Sequence, residues 1–184
     1  ADLAKEWQGS TPGTVGECVI TEDFNSGDRR YFYVPCPHCG MFQALVFEQM
    51  HGPDRETGVP VHFKCLACND AIVNGHKSDL NASGVWIATR VRDGELKVPQ
   101  MLSPEEVKTW QCDPCEGRCL GWQPSYHLWA AYAPKESFAA IWERWELAEG
   151  NTTKLRTFCQ QDLAEPYDPG SSEVDHEQIV ETAR

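Results

Sequence analysis

Two short stretches of the sequence each place a pair of cysteines three positions apart. Cys36 and Cys39 lie in "PCPHCG", and Cys65 and Cys68 lie in "CLACND". Such a turn lets two sulfurs converge on one point, and two turns carried on strand ends complete a tetrahedron of thiolates around Zn²⁺. Because four thiolates leave no coordination position for water or substrate, the expected site is structural. The sequence therefore predicts one Zn²⁺ bound by these four cysteines.

Disulfides and redox chemistry are the alternatives for the same cysteines. The cysteine count of nine is odd and the first ten residues contain no apolar run typical of a secretory signal, so we do not expect a disulfide scaffold. A redox pair needs one cysteine of low pKa at a helix N-terminus, whereas these turns lie between strand-like segments. We expect His38, inside the first turn, to point away from the metal.

A third group of cysteines has spacing that also suits a metal. Cys112, Cys115 and Cys119 follow one another in "CDPCEGRC". With His127 or another cysteine as a fourth ligand they could hold a second Zn²⁺, or they could be free thiols. Both interpretations stay open at the level of the sequence.

Strand-like segments flank both paired-cysteine turns. They are rich in aromatic and β-branched residues, as strands are. The segments are "RRYFYV" (29–34), "QALVF" (43–47), "VPVHFKC" (59–65) and "VWIATR" (85–90). The pattern predicts a small antiparallel β region of the zinc-ribbon kind.

The second half of the chain carries helix signals. Ser103 and Glu106 can form a capping box at the start of a short helix. Farther on, residues 137–150 and 151–166 both repeat apolar side chains at three- and four-residue spacing, and Gly150 separates the two repeats. We therefore predict an α+β fold in which the β region is followed by a C-terminal helical hairpin.

The charge of the chain limits its partners. The formal net charge is −12, which argues against binding nucleic acid by charge alone. A local basic patch is the remaining candidate for a DNA contact, and its members would be Arg29, Arg30, Lys64, Arg90 and Arg92. The chain contains no run of apolar residues long enough to span a bilayer, so we expect no membrane partner.

The motifs that commonly carry catalysis are absent from the sequence. It contains no GxxxxGK[ST] phosphate loop, no GxGxxG after a strand and no HExxH metal motif. An activated nucleophile or an open metal site is not visible either. From the residues alone we therefore expect no catalytic residues and a chain that is not an enzyme.

The order of these features resembles the middle of the lambda-type terminase large subunit, which is the motor that packages phage DNA. The resemblance rests on "GSTPGT" (9–14), "GDRRYFYVPCPHCGMFQALVF" (27–47), "FKCLACNDAI" (63–72), "GVWIATR" (84–90) and the stretch from 124 to 168 that ends in "TFCQQDLAEPYD". In that family an ATPase domain precedes a metal-dependent nuclease domain. The resemblance implies a zinc-binding region between them, acting in the host cytoplasm.

The motifs and the resemblance together suggest five parts of the chain. They are a polar lead-in resembling the end of an ATPase core (1–28), the zinc-ribbon region (29–90), a cysteine-containing insertion (91–123), the helical hairpin (124–168) and an acidic tail (169–184). The expected function is a non-catalytic zinc module that spaces motor domains and contacts DNA or motor subunits.

A second function fits the acidic charge. The chain could be an independent phage or mobile-element protein that binds and inhibits a basic partner, including a nucleic-acid-binding one, because a charge of −12 would steer it to such a surface.

Overall fold

The strands and helices of the chain are short. The computed structural model describes residues 8–91, 94–95, 100–110 and 123–170. The strands are β1 Arg30–Pro35, β2 Phe42–Ala44, β3 Met50–His51, β4 His62–Lys64, β5 Ala71–Val73, β6 Val85–Ala88, β7 Arg90–Val91, β8 Gly94–Glu95, β9 Met101–Leu102 and β10 Tyr126–His127. The α-helices are α1 Val19–Ser26, α2 Lys77–Ser83, α3 Pro104–Trp110, α4 Phe138–Ala148 and α5 Thr152–Thr157. The chain is thus a mixed α+β protein, as the sequence predicted.

The larger sheet is organised around β1. This strand pairs antiparallel with β2 and β6 and parallel with β10, and β9 pairs antiparallel with β2. A second antiparallel sheet has the order β3-β4-β5, and β7 and β8 form a separate pair. The two cysteine turns therefore belong to different sheets, because the first joins β1 to β2 and the second joins β4 to β5.

Four of the strands fall on the segments that the sequence indicated, namely β1, β2, β4 and β6. The two-residue strands β3, β9 and β10 and the three-residue β5 were not predicted. A pairing of two residues leaves too short an alternation of polar and apolar side chains to be recognised. These strands form because a partner strand supplies the hydrogen bonds.

The helix signals agree with the structure where they are local. The capping box is confirmed, since the Ser103 amide donates to Glu106 Oε2 at 2.8 Å and the Glu106 amide donates to Ser103 Oγ at 3.2 Å. Gly150, two residues after the end of α4, has φ +69°, in the left-handed conformation that favours glycine. The second repeat is less regular than predicted, because α5 ends at Thr157 and the chain continues as a π-helical turn over Phe158–Asp162.

The first part of the chain is more ordered than its polar composition suggested. It contains α1, and residue 14 forms a parallel bridge with Tyr167 near the other end of the described chain. The Val15 amide donates to the Tyr167 carbonyl and the Tyr167 amide donates to the Gly13 carbonyl, both at 2.9 Å. Residues about 150 positions apart are thus held together by backbone hydrogen bonds.

The main core lies where the two sheets meet α4 and the π-helical turn. Phe63, Phe138 and Phe158 are each 2% exposed or less. The remaining buried members come from both halves of the chain and are Val34, Cys36, Leu45, Met50, Val61, Cys65, Ile72, Leu80, Trp129, Ala131, Tyr132, Ile141 and Ala148. Two of the paired cysteines therefore lie in this core.

Candidate metal centre

The first cysteine turn is a tight loop between β1 and β2. The Cys36 amide donates to the Met41 carbonyl at 2.8 Å, and the Gly40 amide donates to the Cys36 carbonyl at 2.9 Å. The His38 amide points at Cys36 Sγ, at 3.5 Å. Gly40 has φ +75°, which lets the chain turn back directly after Cys39.

The second turn, between β4 and β5, has the same hydrogen-bond pattern. The Cys65 amide donates to the Asp70 carbonyl at 3.0 Å, the Asn69 amide donates to the Cys65 carbonyl at 2.9 Å, and the Ala67 amide points at Cys65 Sγ at 3.4 Å. Asn69, with φ +62°, takes the position that Gly40 has in the first turn. Asparagine tolerates this left-handed conformation better than most residues do.

The two turns bring four sulfur atoms together. Cys36 Sγ lies 3.8 Å from Cys68 Sγ, Cys39 Sγ lies 3.7 Å from Cys65 Sγ, and all four lie within 4.8 Å of one another. A tetrahedron with metal–sulfur distances of ~2.3 Å has sulfur–sulfur edges of ~3.8 Å, whereas a disulfide bond is ~2.05 Å long. The four free thiols are therefore placed so that they could bind a metal ion.

The sulfurs differ in their surroundings. Cys36 and Cys65, the first cysteine of each turn, are 3% and 2% exposed, whereas Cys39 is exposed and Cys68 is half-buried. Burial raises the pKa of the Cys36 thiol. Burial also acts to raise the pKa of Cys65, but the amides of Cys68 and Ala67 outweigh it and the pKa is lowered. Since metal binding requires thiolates, the amides that point at sulfur favour the bound form.

Two side chains connect the turns. Gln43 on β2 is fully buried, and its Oε1 accepts a hydrogen bond from the Leu66 amide in the second turn at 2.9 Å. His38 Nε2 donates to the Ala71 carbonyl on β5 at 3.0 Å, and its ring packs edge-to-face on His76. His38 is thus directed at the second turn and is not one of the four clustered residues. Sequence analysis missed Gln43, since a glutamine in a strand gives no signal of where its amide will lie.

The second predicted metal group cannot be assembled from the described residues. Cys112, Cys115 and Cys119 lie outside them. His127 is on β10, where its ring lies 5.3 Å from that of Tyr31, and burial lowers its pKa. The hypothesis of a second zinc therefore stays a prediction.

The candidate DNA-contacting residues differ in exposure. Arg30 is only 6% exposed and forms an ion pair with Asp28 at 2.7 Å. Because its guanidinium is buried against this carboxylate, we no longer expect Arg30 to bind a DNA phosphate. Arg29, Lys64 and Arg90 are half-buried, and Arg90 donates to the Asn25 carbonyl. Arg92 lies outside the described residues. The sequence could not distinguish the two neighbouring arginines, because their exposure depends on which one meets the buried Asp28.

The fold is mixed α+β, and a cluster of four cysteine thiols that could bind a metal ion lies between two of its sheets. Two family models match it: the phage terminase large subunit gpA ATPase domain over residues 2–86, and the terminase large subunit gpA endonuclease domain over residues 123–184. We call these the ATPase-matched segment and the endonuclease-matched segment. The chain belongs to the lambda-type terminase large subunit family.

Two curated relatives agree with this assignment. The terminase large subunit of Enterobacteria phage P21 is 28% identical over 96% of this chain and 27% of its own length. That of Escherichia phage lambda is 27% identical over 89% of this chain and 25% of its own length. The chain thus spans about a quarter of the length of these relatives. No solved structure matches it.

The expectation that the chain is not an enzyme was wrong. The two models that match it describe an ATPase domain and an endonuclease domain, and both of these are enzymatic. The expectation rested on motifs that the chain lacks, and motifs of a much longer protein need not fall within a quarter of its length. None of the helices in the described part of the chain is both long and apolar enough to span a bilayer.

Proposed function

We propose that this chain is a metal-stabilised part of a DNA-packaging terminase large subunit, and that the metal is Zn²⁺. The observation that supports this proposal is the set of four sulfurs at tetrahedral spacing. An all-thiolate, four-coordinate site is typical of structural zinc. Cys36, Cys39, Cys65 and Cys68 would hold the ion, which supplies charge neutralisation and a rigid link between two sheets.

The proposed role is mechanical. Each turn joins antiparallel strands, as in a zinc ribbon, and α4 and α5 are joined by a short connection that would make them the predicted helical hairpin. A ribbon and a hairpin of this kind would hold the ATPase and endonuclease domains of a motor subunit at a fixed spacing. The five-part division of the chain and its place in the cytoplasm of the infected cell belong to this proposal.

Contact with DNA or with a neighbouring subunit is the second part of the role. Among the residues that the structure describes, the remaining candidates are Arg29, Lys64 and Arg90. Because the chain carries a net charge of −12, we expect any DNA binding to be weak and strongly dependent on salt. A gel-shift titration at low and high salt, with Lys64→Ala as the variant, tests this part separately.

Elemental analysis of the purified chain tests the proposal. We expect about one zinc per chain, as a closed four-cysteine site requires. A value near two would assign the second ion to the group formed by Cys112, Cys115 and Cys119. Cys159→Ser is the matched control, because this thiol lies outside the cluster and its loss should leave the zinc content unchanged. A chain without zinc, or with iron instead, would contradict the proposal.

A further inference from the structure

We infer that the metal site also holds the endonuclease-matched segment in its folded position, so that metal loss releases residues 123–170 as well as the turns. The inference rests on the proposed metal. Its basis is a juxtaposition: the strands that lead into the two cysteine turns are the same strands on which the endonuclease-matched segment packs.

The first contact is at the start of β1, the strand that ends directly before Cys36. Asp28 is fully buried, and its Oδ2 accepts from Arg30 Nε at 2.8 Å while its Oδ1 accepts from the Ser125 amide at 3.0 Å. The Arg30 guanidinium also lies over the Tyr126 ring, 5.3 Å from its centre. If Ser125 undocked, Oδ1 of the buried Asp28 would lose the hydrogen bond from the Ser125 amide, which is costly for a buried charged group. This contact therefore favours the docked position of Ser125 and Tyr126.

The second contact involves β1 and the residue after β2, on the two sides of the first cysteine turn. The Tyr132 hydroxyl accepts from the Leu45 amide directly after β2 and donates to the Phe32 carbonyl on β1, both at 2.8 Å. Trp129 Nε1 donates to the Leu45 carbonyl at 2.9 Å. Two aromatic side chains of the endonuclease-matched segment thus satisfy backbone groups on either side of Cys36 and Cys39.

The third contact is on the other sheet. Phe63 on β4, two residues before Cys65, is fully buried. Its ring lies edge-to-face against Phe138 at 4.8 Å and Trp129 at 5.8 Å. The strand that leads into the second turn is therefore covered by the same segment.

These contacts require the two sheets to keep their relative position. Without a metal, four neutral thiols are weak hydrogen-bond donors and four thiolates repel one another, so the turns lose the interaction that holds them. If the sheets then separate, Trp129 can no longer contact both Leu45 and Phe63. The endonuclease-matched segment would lose its docking surface together with the metal.

Hydrogen exchange on the whole 184-residue chain, followed by mass spectrometry, tests this inference. Zinc is removed with 1,10-phenanthroline and then restored. We expect amide protection over 126–134 and 138–162 to fall about tenfold or more on removal and to return with zinc, because these amides would then exchange through local opening. Cys159→Ser serves as the control, and we expect it to lose and regain amide protection as the unmodified chain does.

The failures of the two proposals are distinguishable. A chain that contains no metal on purification overturns the proposed function. A chain that contains zinc, but loses protection only over 30–44 and 62–73 when zinc is removed, overturns the present inference and leaves the proposed function standing.

The inference can also be tested in the opposite direction, by measuring zinc binding in a variant of the endonuclease-matched segment, without preparing the metal-free chain. If the segment and the metal stabilise each other, loosening the segment must weaken metal binding by the same factor. Tyr132→Phe removes the bridging hydroxyl, and we expect the Kd for zinc, measured by equilibrium competition with a colorimetric chelator, to rise about three- to tenfold. Tyr167→Phe is the matched control, since Tyr167 is joined to Gly13 and Val15 through its backbone. An unchanged Kd for Tyr132→Phe would overturn the inference.

Discussion

The two cysteine turns have the same backbone arrangement and different sequences. Both return the chain through a left-handed residue directly after the second cysteine, but this residue is Gly40 in one turn and Asn69 in the other. The residue directly before the second cysteine is His38 in the first turn and Ala67 in the second. The comparison indicates that the left-handed position and the amides directed at sulfur define the turn, whereas the intervening side chains are free to take other roles.

The turns also share a difference within each pair. The first cysteine lies in the core and the second lies near the surface. The core therefore fixes one sulfur of each turn, and the turn geometry places the other. Substitutions in both turns and at Gln43 test how far this likeness between the turns extends.

Replacing a buried ligand should have the largest effect. We expect Cys65→Ser to abolish metal binding and to remove most of the metal's contribution to folding, which is on the order of 10 kcal/mol for a closed zinc site. Cys39→Ser should cost less, because water can reach the exposed position and complete the coordination. Zinc content and thermal unfolding measure both, and equal losses would show that burial does not rank the ligands.

Gln43 tests the link between the turns. We expect Gln43→Ala to lower the free energy of unfolding by about 1–3 kcal/mol, because the part-buried Leu66 amide loses its acceptor and the fully buried Gln43 side chain is truncated. Urea unfolding of the zinc-bound chain measures the change. Lys108→Ala is the control, since its ion pair with Glu105 is exposed and should contribute little. A cost for Gln43→Ala no larger than that of the control would argue against the link.

The two left-handed positions should respond to substitution by different amounts. Gly40→Ala places a Cβ at φ +75°, and we expect a cost of about 1–2 kcal/mol although the space around it is open. Asn69→Gly makes the second turn like the first, and we expect a change of less than about 0.5 kcal/mol. Urea unfolding compares the pair. If Gly40→Ala were neutral, the conformation would not be what defines the turn.

His38→Ala makes the first turn resemble the second at the variable position. The exposed ring donates one hydrogen bond across the turns, so we expect a loss of about 0.5–1 kcal/mol with zinc content unchanged. Measuring the free energy of unfolding together with the zinc content distinguishes a structural role of His38 from metal ligation. Loss of zinc would show that His38 takes part in binding the metal.

Much of the candidate site could be predicted because its signals are local. A spacing of three residues between cysteines restricts where two sulfurs can lie, and Gly40 supplies the turn that the spacing needs. The Ser103 and Glu106 capping box is local in the same way. Strands β9 and β10 could not be predicted, because the strands with which they pair are distant in the sequence.

Local patterns were enough to identify the four cysteines, the turns that present them and the mixed α+β class, and the order of the motifs gave the resemblance to the terminase family. Tertiary packing was needed to place the turns in separate sheets, to bury Arg30 against Asp28 and to join β1 to the residue after β2 through Tyr132. The contacts of Asp28 with Ser125, and of Tyr132 with Leu45 and Phe32, join residues 87 to 100 positions apart. Such contacts are selected by packing of the whole core rather than by local pattern.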